Sequence, residues 1–464
     1  MFDLAEARLK AARVLVRHIA DYLQADLSVE LWNGEVLPLG AGARDDVRIK
    51  VRSPGAIRRL ILRPTLMGVV ELYAEGELDI LGASPLLASR RWDHFRSLEL
   101  AKKIDRKIAL RCALPFLLGS GKFDGVGAYG RAVDGDYRRG RDDKSLIQFH
   151  YDVSNDFYQL FLDPGMVYSC AYFANPQTSL ADAQFAKLDR ICRKLQLKPG
   201  DRFLDVGSGW GALLCHAAQH YGAQCHGVTL SQAQYDFASQ KIARLGLQDR
   251  IKLELRDYRM IEGAECYDKI SQIEMFEHIG LDNHDRHFAH IKQLLRPRGL
   301  YLHQASTRWA TPDLAKFREP TRYQKVITRF IFPGGECDYV GLSATNLERH
   351  GFEVHDVEGM REHFQLTIEH WVAKLFENID AARAQVGWPR TRLWLLYLSL
   401  CARSFERGTI GVFQILASRR SVGASGLPLA RADLYRQRRA DPAQHRVNRR
   451  RARGRPPFVA ARNP

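Results

Sequence analysis

Residues 203–211 read FLDVGSGWG, an apolar run that leads into three closely spaced glycines. Together with Ala212 the end of this stretch also fits the G-x-G-x-x-A pattern of dinucleotide-binding folds. Those folds place an acidic residue about twenty positions later, where it binds the ribose diol. Here the next apolar run ends in Gly227, Val228 and Thr229, without a carboxylate. The stretch therefore predicts a turn from strand to helix that holds a nucleotide other than a dinucleotide.

Short apolar runs alternate with helical stretches from about residue 187 onward. The runs are RFLDV (202–206), AQCHGVT (223–229), RIKLEL (250–255), YDKISQIE (267–274) and GLYLHQAS (299–306). Such alternation predicts an α/β domain with a parallel, doubly wound sheet. In these sheets ligands bind outside the carboxyl ends of the strands, near the point where strand order reverses.

The chain is predicted to divide into four parts. Residues 1–120 mix helical periodicity, beginning with an amphipathic first helix, with the apolar runs VRIKVRS (47–53) and GVVELYAEGELDI (68–80), which predicts a small α+β domain. Residues 121–145 are rich in Gly, Asp and Arg and are predicted to form a linker. The catalytic α/β domain is expected over 146–420, and an Arg-rich, disordered tail over 421–464.

The net charge of +16 is concentrated at the carboxyl terminus, since residues 419–464 contain thirteen Arg and two Asp. A cluster of this kind favours contact with anionic lipid over a nucleic-acid partner. The eight cysteines form no CxxC pair, which is typical of a reducing compartment. The longest apolar stretch, 393–402, is too short to cross a bilayer. We therefore expect a cytoplasmic protein that associates peripherally with membranes.

An ordered set of residues surrounds the glycine turn. Asp205 gives the motif D-x-G-x-G, Asp257 follows the third apolar run, and LLRPRG (294–299) introduces the fifth. This set resembles the class I S-adenosylmethionine (SAM) methyltransferases. The resemblance implies a SAM site with the glycines at the methionine part, Thr229 and Gln234 at the ribose, and Asp257 with Tyr258 at the adenine. The implied cofactor-binding residues are Tyr168, Ser169, Asp205, Gly207, Gly209, Gly211, Thr229, Leu230, Gln234, Asp257 and Tyr258.

Four further segments point to one family within these methyltransferases. They are HYDVSNDFYQLFLDPGMVYSCAYF (150–173), EMFEHIG (274–280), FIFPGGE (330–336) and LCARSFERG (400–408). In this order they resemble the cyclopropane-fatty-acyl-phospholipid synthase family, which includes the mycolic acid cyclopropane synthases. The resemblance implies a SAM-dependent enzyme that transfers a methyl group to the cis double bond of an unsaturated phospholipid acyl chain. Loss of a proton from the resulting carbocation then closes a cyclopropane ring.

The resemblance also implies a bound bicarbonate ion as the base. Cys170, Glu277 and His303 match positions that hold this ion, and Cys401 matches a carboxyl-terminal cysteine treated as an active-site residue in the family. No metal is expected. A carbocation must be kept from water and can be stabilised by aromatic faces. The aromatic residues suggested for this lining are Tyr168, Tyr172, Phe173, Phe276, Phe332 and Phe364.

Two positions depart from the family pattern. Phe364 stands where a tyrosine is usual, which removes one hydroxyl donor, and Ala305 replaces a larger aliphatic residue. Ring closure is therefore less secure than methyl transfer. Methylation without ring closure, giving a methyl-branched or methylidene lipid, stays open, as does a non-catalytic lipid-binding protein of the same fold. An anionic membrane surface is the expected partner, and a homodimer is left open.

Overall fold

A computed structural model describes residues 3–92, 103, 105–118, 146, 150 and 153–435. The described chain contains a four-stranded sheet near the amino terminus and a seven-stranded sheet that follows it. The predicted linker, 121–145, lies outside the described residues. Of the predicted tail, residues 436–464 lie outside them as well.

The seven-stranded sheet is the framework of the larger part. Its strands, in chain order, are β5 (Arg202–Val206), β6 (Gln224–Thr229), β7 (Ile251–Leu255), β8 (Tyr267–Ile273), β9 (Leu295–Arg308), β10 (Phe352–Gly359) and β11 (Ile410–Arg419). They are arranged in the order β10-β11-β9-β8-β5-β6-β7. Strands β7 through β9 run parallel across the sheet, whereas β11 is antiparallel to both of its neighbours. The predicted doubly wound sheet is confirmed, and its strand order reverses between β5 and β8.

Helices cover both faces of this sheet and extend it towards the carboxyl terminus. They are α6 (Asn155–Gln159), α7 (Leu180–Lys194), α8 (Ala212–Tyr221), α9 (Gln232–Arg244), α10 (His284–Leu294), α11 (Leu314–Arg318), α12 (Arg322–Phe330), α13 (Val340–Arg349), α14 (Arg361–Glu377), α15 (Ile379–Val386), α16 (Trp388–Glu406) and α17 (Ala432–Tyr435). Helices α14 and α16 pack together beside the sheet and bury Trp371, Trp394 and Leu398 in one cluster with Phe157 and Phe161. This cluster borders the site described below.

The amino-terminal part combines helices with a small sheet. It contains α1 (Leu4–Leu23), β1 (Ser28–Glu30), β2 (Val36–Pro38), β3 (Arg48–Val51), α2 (Pro54–Leu62), α3 (Leu66–Glu75), β4 (Leu78–Leu81), α4 (Pro85–Ser89) and α5 (Arg106–Leu117). The sheet order is β2-β1-β3-β4.

One local prediction for this part was wrong. Residues 68–80, predicted as an apolar strand, form most of helix α3 and then strand β4. The Thr65 side chain caps the start of α3 by accepting a hydrogen bond from Gly68, and Gly76 ends the helix in the left-handed conformation with φ 83°. The two caps outweigh the β propensity of the valines between them.

A buried arginine joins the two parts of the chain. Arg392 on α16 is 2% exposed and pairs with Asp79 on β4 at 2.7 Å. Its guanidinium also donates to the carbonyl oxygens of Tyr73 and Leu78, at 2.7 and 3.1 Å. Because these acceptors end α3 and begin β4, the small sheet is fixed to the helix that borders the larger sheet.

Residues 421–435 of the predicted tail also contact the larger part. Arg190 on α7 donates a 2.7 Å hydrogen bond to the carbonyl oxygen of Leu434, and Arg431 pairs with Asp356 at 2.7 Å. No helix within the described residues is both long enough and apolar enough to span a bilayer.

Replacing the buried arginine tests how strongly it fixes the two parts together. We expect Arg392→Met to lower the free energy of unfolding by about 3 to 5 kcal/mol, because Asp79 and two carbonyl groups lose a buried cationic partner. The matched control is Arg52→Met, which removes a second, 50% exposed partner of the same Asp79 and should cost less than about 1 kcal/mol. Urea unfolding of both variants measures the difference. Equal effects would show that the pair at Arg392 does not join the two parts.

Candidate active site

A cavity of about 140 Å³ opens where the strand order of the large sheet reverses. Residues that directly follow the carboxyl ends of the central strands line it: Gly207 after β5, Leu230 after β6 and Glu274 after β8. Asp257 lines it two residues beyond the end of β7. This is the place at which doubly wound sheets bind their ligands.

The glycines of the turn have different roles. Gly207 and Gly209 adopt left-handed conformations, with φ 76° and 54°, and both line the cavity. A side-chain Cβ at Gly209 would meet no atom within 4 Å, which leaves its backbone open to a ligand. A Cβ at Gly211 would lie 3.1 Å from the Cβ of Ala238, and Gly211 begins α8 without being among the lining residues. Gly211 therefore serves the close packing of two helices.

Asp205 is buried on β5 beneath the glycine turn. Its Oδ1 accepts a 2.6 Å hydrogen bond from the Ser271 hydroxyl on neighbouring β8. Burial raises the pKa of this carboxyl to about 6, against the opposing effects of Ser271 and Lys187. Asp205 also lines the cavity, so its charge faces the space that the predicted cofactor would occupy.

The residues predicted for the ribose and adenine line the same cavity. The Thr229 hydroxyl donates a 2.8 Å hydrogen bond to the side-chain oxygen of Gln234. Asp257 accepts from the guanidinium of Arg259, with a Nε to Oδ1 distance of 3.0 Å. The Tyr258 hydroxyl lies 3.0 Å from Nδ1 of His287, and its ring is buried. Together these side chains form a polar wall on one side of the cavity.

Tyr168 and Ser169 also line the cavity, and Tyr168 packs against a group of buried rings. Lys187 on α7 donates a 2.8 Å hydrogen bond to the Ser169 hydroxyl. The Tyr168 ring lies 5.1 Å from Trp371 and 5.4 Å from Tyr158, measured between ring centroids. The part of the lining around Tyr168 is therefore aromatic, whereas the part formed by Thr229, Gln234 and Asp257 is polar.

Five of the six aromatic residues suggested from the sequence lie behind the cavity wall. Tyr172 stacks on His363, Phe173 on His370, and Phe276 packs on His303. Phe332 stacks at 4.1 Å on His278, which itself lines the cavity, and Phe364 packs on Phe405 at 4.6 Å. The sequence did not identify Trp210, which lines the cavity, or Trp371 and Trp394, which surround Tyr168.

Cys170 and Glu277, two of the residues predicted to hold bicarbonate, lie close to Glu274. The Cys170 amide donates a 3.0 Å hydrogen bond to Oε1 of Glu274, and its Sγ donates to the carbonyl oxygen of Ala171 at 3.3 Å. Oε1 of Glu277 accepts a 2.6 Å hydrogen bond from the Ser306 amide. Oε2 of Glu277 is buried and has no hydrogen-bond partner within the described part of the chain. Burial raises the pKa of both the Cys170 thiol and the Glu277 carboxyl.

His303 and Cys401 lie apart from the cavity lining. The His303 ring nitrogens lie 3.3 Å from the Tyr301 hydroxyl and 3.1 Å from the Ser343 hydroxyl, and burial lowers the pKa of the ring to about 3. Burial raises the pKa of the Cys401 thiol to about 12. His303 is therefore neutral with both nitrogens engaged, and Cys401 is a thiol rather than a thiolate nucleophile.

These residues do not form an open site for bicarbonate. An anion needs donors that point into free space, yet the Cys170 amide already donates to Glu274 and the His303 nitrogens contact two hydroxyl groups. Glu277 offers a buried oxygen without a partner among the described residues, and that oxygen could share a proton with an anion. Most of the groups predicted to donate hydrogen bonds to bicarbonate therefore already contact other residues.

Glu274 and Lys187 were missed by the reasoning from sequence. The apolar run YDKISQIE (267–274) predicts a strand that includes Glu274, whereas β8 ends at Ile273. Glu274 is the first residue of the EMFEHIG segment that also contains Glu277. Lys187 lies in an amphipathic helix and gives no local motif, so only the tertiary structure brings it to Ser169.

The chain is similar to proteins of one named family over most of its length. The family model described as mycolic acid cyclopropane synthetase matches residues 138–415. A probable fatty acid methyltransferase of Pseudomonas putida is 33% identical over 415 residues, covering 89% of this chain and 97% of the relative. Cyclopropane mycolic acid synthase 1 of Mycobacterium tuberculosis is 34% identical over 273 residues, covering 58% and 94%. The solved mycolic acid cyclopropane synthase CmaA1, complexed with S-adenosylhomocysteine (SAH) and CTAB, has a TM-score of 0.56 and 32% identity over 59% of this chain and 98% of that one.

The buried carboxyl under the glycine turn gives a prediction for stability. Because the pKa of Asp205 is about 6 in the fold and 3.8 as a free side chain, its contribution is favourable at low pH and is lost as pH rises through 6. We therefore expect Asp205→Asn to raise the free energy of unfolding at pH 7.5 by about 1 to 3 kcal/mol, with a smaller gain at pH 4.

Urea unfolding at the two pH values measures this effect. Asp257→Asn is the control, because its carboxylate is paired with Arg259 and its removal should not stabilise the protein. A loss of stability in Asp205→Asn at pH 7.5 would contradict the assignment of a costly buried charge.

Proposed function

Because the chain belongs to the mycolic acid cyclopropane synthetase family of SAM-dependent lipid methyltransferases, we propose that it acts on the cis double bond of an unsaturated phospholipid acyl chain. The proposed product is a cyclopropane acyl chain. The resemblance and the class I fold predicted from the sequence are confirmed by the family match and the solved relative. The observation that carries the proposal is a glycine-turn cavity with one polar wall and one aromatic wall.

The polar wall suits the cofactor. SAM supplies an electrophilic methyl group when it is bound. The open backbone at Gly209 would hold the methionine part, while Asp257 would accept hydrogen bonds from the adenine side. Asp205 adds negative charge on the same side of the cavity, which favours a cationic ligand.

The aromatic wall suits the acceptor. An alkene is a weak nucleophile, and the cation formed from it would react with water if the site were wet. Tyr168 and Trp210 line the cavity on this side, and the buried rings of Tyr158 and Trp371 pack against them. Such rings exclude water and stabilise positive charge by cation–π attraction.

The outcome of the reaction depends on which proton leaves the cation. Loss from the new methyl group closes a three-membered ring, whereas loss from the carbon that carries the methyl group gives a methyl-branched alkene. A hydride shift to the cationic carbon, followed by proton loss from the methyl group, gives a methylidene chain. Phe364 packs against Phe405 and Trp371 and brings no hydroxyl to the site. Nδ1 of the adjacent His363 accepts the Phe173 amide at 3.0 Å. These contacts support methylation without ring closure as the second candidate.

A lipid substrate requires contact with a membrane surface, and we propose that the protein docks on anionic phospholipid. Helix α5 supports this proposal, because Leu110 and Leu114 are 74% and 60% exposed beside the exposed cations Lys107 and Arg111. Exposed apolar side chains next to basic ones are typical of helices that lie in the membrane interface. The Arg-rich residues 437–464 add positive charge.

Labelled SAM and a mono-unsaturated phospholipid test the reaction. We expect release of SAH together with label in the acyl chain, and upfield cyclopropane methylene signals in the proton NMR spectrum of the recovered lipid. A saturated phospholipid with the same headgroup is the control. Absence of SAH release with several unsaturated lipids would favour the non-catalytic lipid-binding alternative. Label without the upfield signals would identify methylation without ring closure.

Truncation tests the role of the tail in docking. A chain that ends at residue 436 should bind anionic vesicles at low salt about tenfold or more weakly, because each Lys or Arg near such a surface contributes about 1 kcal/mol. Vesicle co-sedimentation of both chains, with zwitterionic vesicles as the control, gives the measurement. Unchanged binding after truncation would leave α5 and the rest of the amino-terminal part as the docking surface.

A further inference from the structure

Glu274 occupies the position where the large sheet holds its ligands. It is the first residue after β8, at the reversal of strand order, and it lines the cavity together with Gly207 and Ser169. Its φ is 53°, a left-handed conformation that is costly for a residue with a side chain. Strained backbone of this kind persists where the surrounding structure fixes it, and it clusters at functional sites.

Two donors hold the carboxylate of Glu274 by a single oxygen. Oε1 accepts the Cys170 amide at 3.0 Å and the side-chain amide of Gln304. Gln304 is in turn fixed by Gln414, whose Nε2 donates to its Oε1 at 2.7 Å. No hydrogen bond from the described residues reaches Oε2. The carboxylate is therefore oriented at one oxygen, and its second oxygen is left for a reactant in the cavity.

The titratable neighbours of Glu274 come from three parts of the fold. Lys187 on α7 provides a cation, Glu277 provides a second carboxylate, and the Cys170 thiol lies nearby. Burial, followed by the charge of Glu277, raises the pKa of Glu274 to about 7, while Lys187 and the hydrogen-bond donors oppose the shift. A base with a pKa close to the working pH transfers protons efficiently.

We propose that Glu274 is the catalytic base that removes the proton from the lipid carbocation, the role that the family resemblance gives to bicarbonate. The inference rests on the proposed function. It follows from the geometry: the Cys170 amide, predicted to bind the anion, instead binds a carboxylate that belongs to the chain. A second negative ion beside the ionised carboxylate of Glu274 would be repelled by it.

The step balances in atoms and charge. Methyl transfer turns the sulfonium into neutral SAH and places one positive charge on the acyl chain. The electrons of one C–H bond then form the new carbon–carbon bond, and the proton passes to Oε2 of Glu274, which becomes a neutral carboxylic acid. Between turnovers this proton is released to water, so no further reactant is consumed.

The test compares Glu274→Gln with the wild-type chain on an unsaturated phospholipid, in buffer purged of carbon dioxide and in buffer with added bicarbonate. Glutamine keeps the acceptor for Cys170 but cannot take a proton. We expect SAH release to fall about 100-fold or more, with SAH affinity changed less than about threefold. Wild-type turnover should not depend on bicarbonate. Glu262→Gln, at an exposed glutamate, is the matched control.

Two further readouts separate catalysis from a structural role. Wild-type turnover should rise with pH and level off above about 7, because the base must be ionised, whereas residual turnover of Glu274→Gln should lack this limb. In Glu274→Ala, which leaves space for a small anion, formate or bicarbonate should restore part of the rate.

Each result discriminates between the two proposals. If the wild-type chain binds SAH but releases none with unsaturated lipids, the proposed substrate is wrong and the role of Glu274 falls with it. If the wild-type chain turns over and Glu274→Gln matches its rate, or if removal of bicarbonate slows the wild type tenfold, then the proposed function stands and Glu274 is not the base.

Discussion

The reversal of strand order between β5 and β8 is the constraint on which the site depends. Parallel strands on either side of this point carry their connections away in opposite directions, which leaves a gap at the carboxyl ends of the strands. The glycine turn, the acid after β7 and Glu274 all reach the cavity because they leave the sheet at this gap. The helical pair α14 and α16 then closes the gap with aromatic side chains.

The features of the site that were predicted from the sequence are those that depend on local backbone structure. A glycine turn between strand and helix, and an acid at a strand end, have local signatures, so Gly207, Gly209 and Asp257 could be placed correctly beside the cavity. The same reasoning succeeded for the α/β sheet, because alternating apolar runs need no knowledge of tertiary contacts. Gly211 packs two helices together and is not among the lining residues, and α3 forms where an apolar strand is predicted because two caps favour the helix.

The rest of the site depends on contacts between residues that are far apart in the sequence. Lys187 reaches Ser169, and Gln414 reaches Gln304 and through it Glu274, from segments that carry no motif. Glu274 lies in the site rather than in the strand because β8 ends at Ile273, one residue earlier than predicted. Because the carboxyl group of Glu274 is desolvated, its ionisation adds a poorly screened negative charge and raises the cost of binding any other anion. The charge distribution in the site therefore depends on tertiary contacts that sequence patterns do not predict.

The cation at Arg392 has a consequence for how this enzyme could have arisen. The alignment with the solved relative covers 98% of the relative but only 59% of this chain. The relative is therefore too short to include a counterpart of every part of this chain. Here, however, helix α16 contributes Trp394 to the aromatic wall and Arg392 to the small sheet. Removal of the amino-terminal part would leave this buried guanidinium without Asp79 and without the carbonyl oxygens of Tyr73 and Leu78. An exchange of the small sheet between relatives would therefore have to preserve these acceptors or replace Arg392 as well.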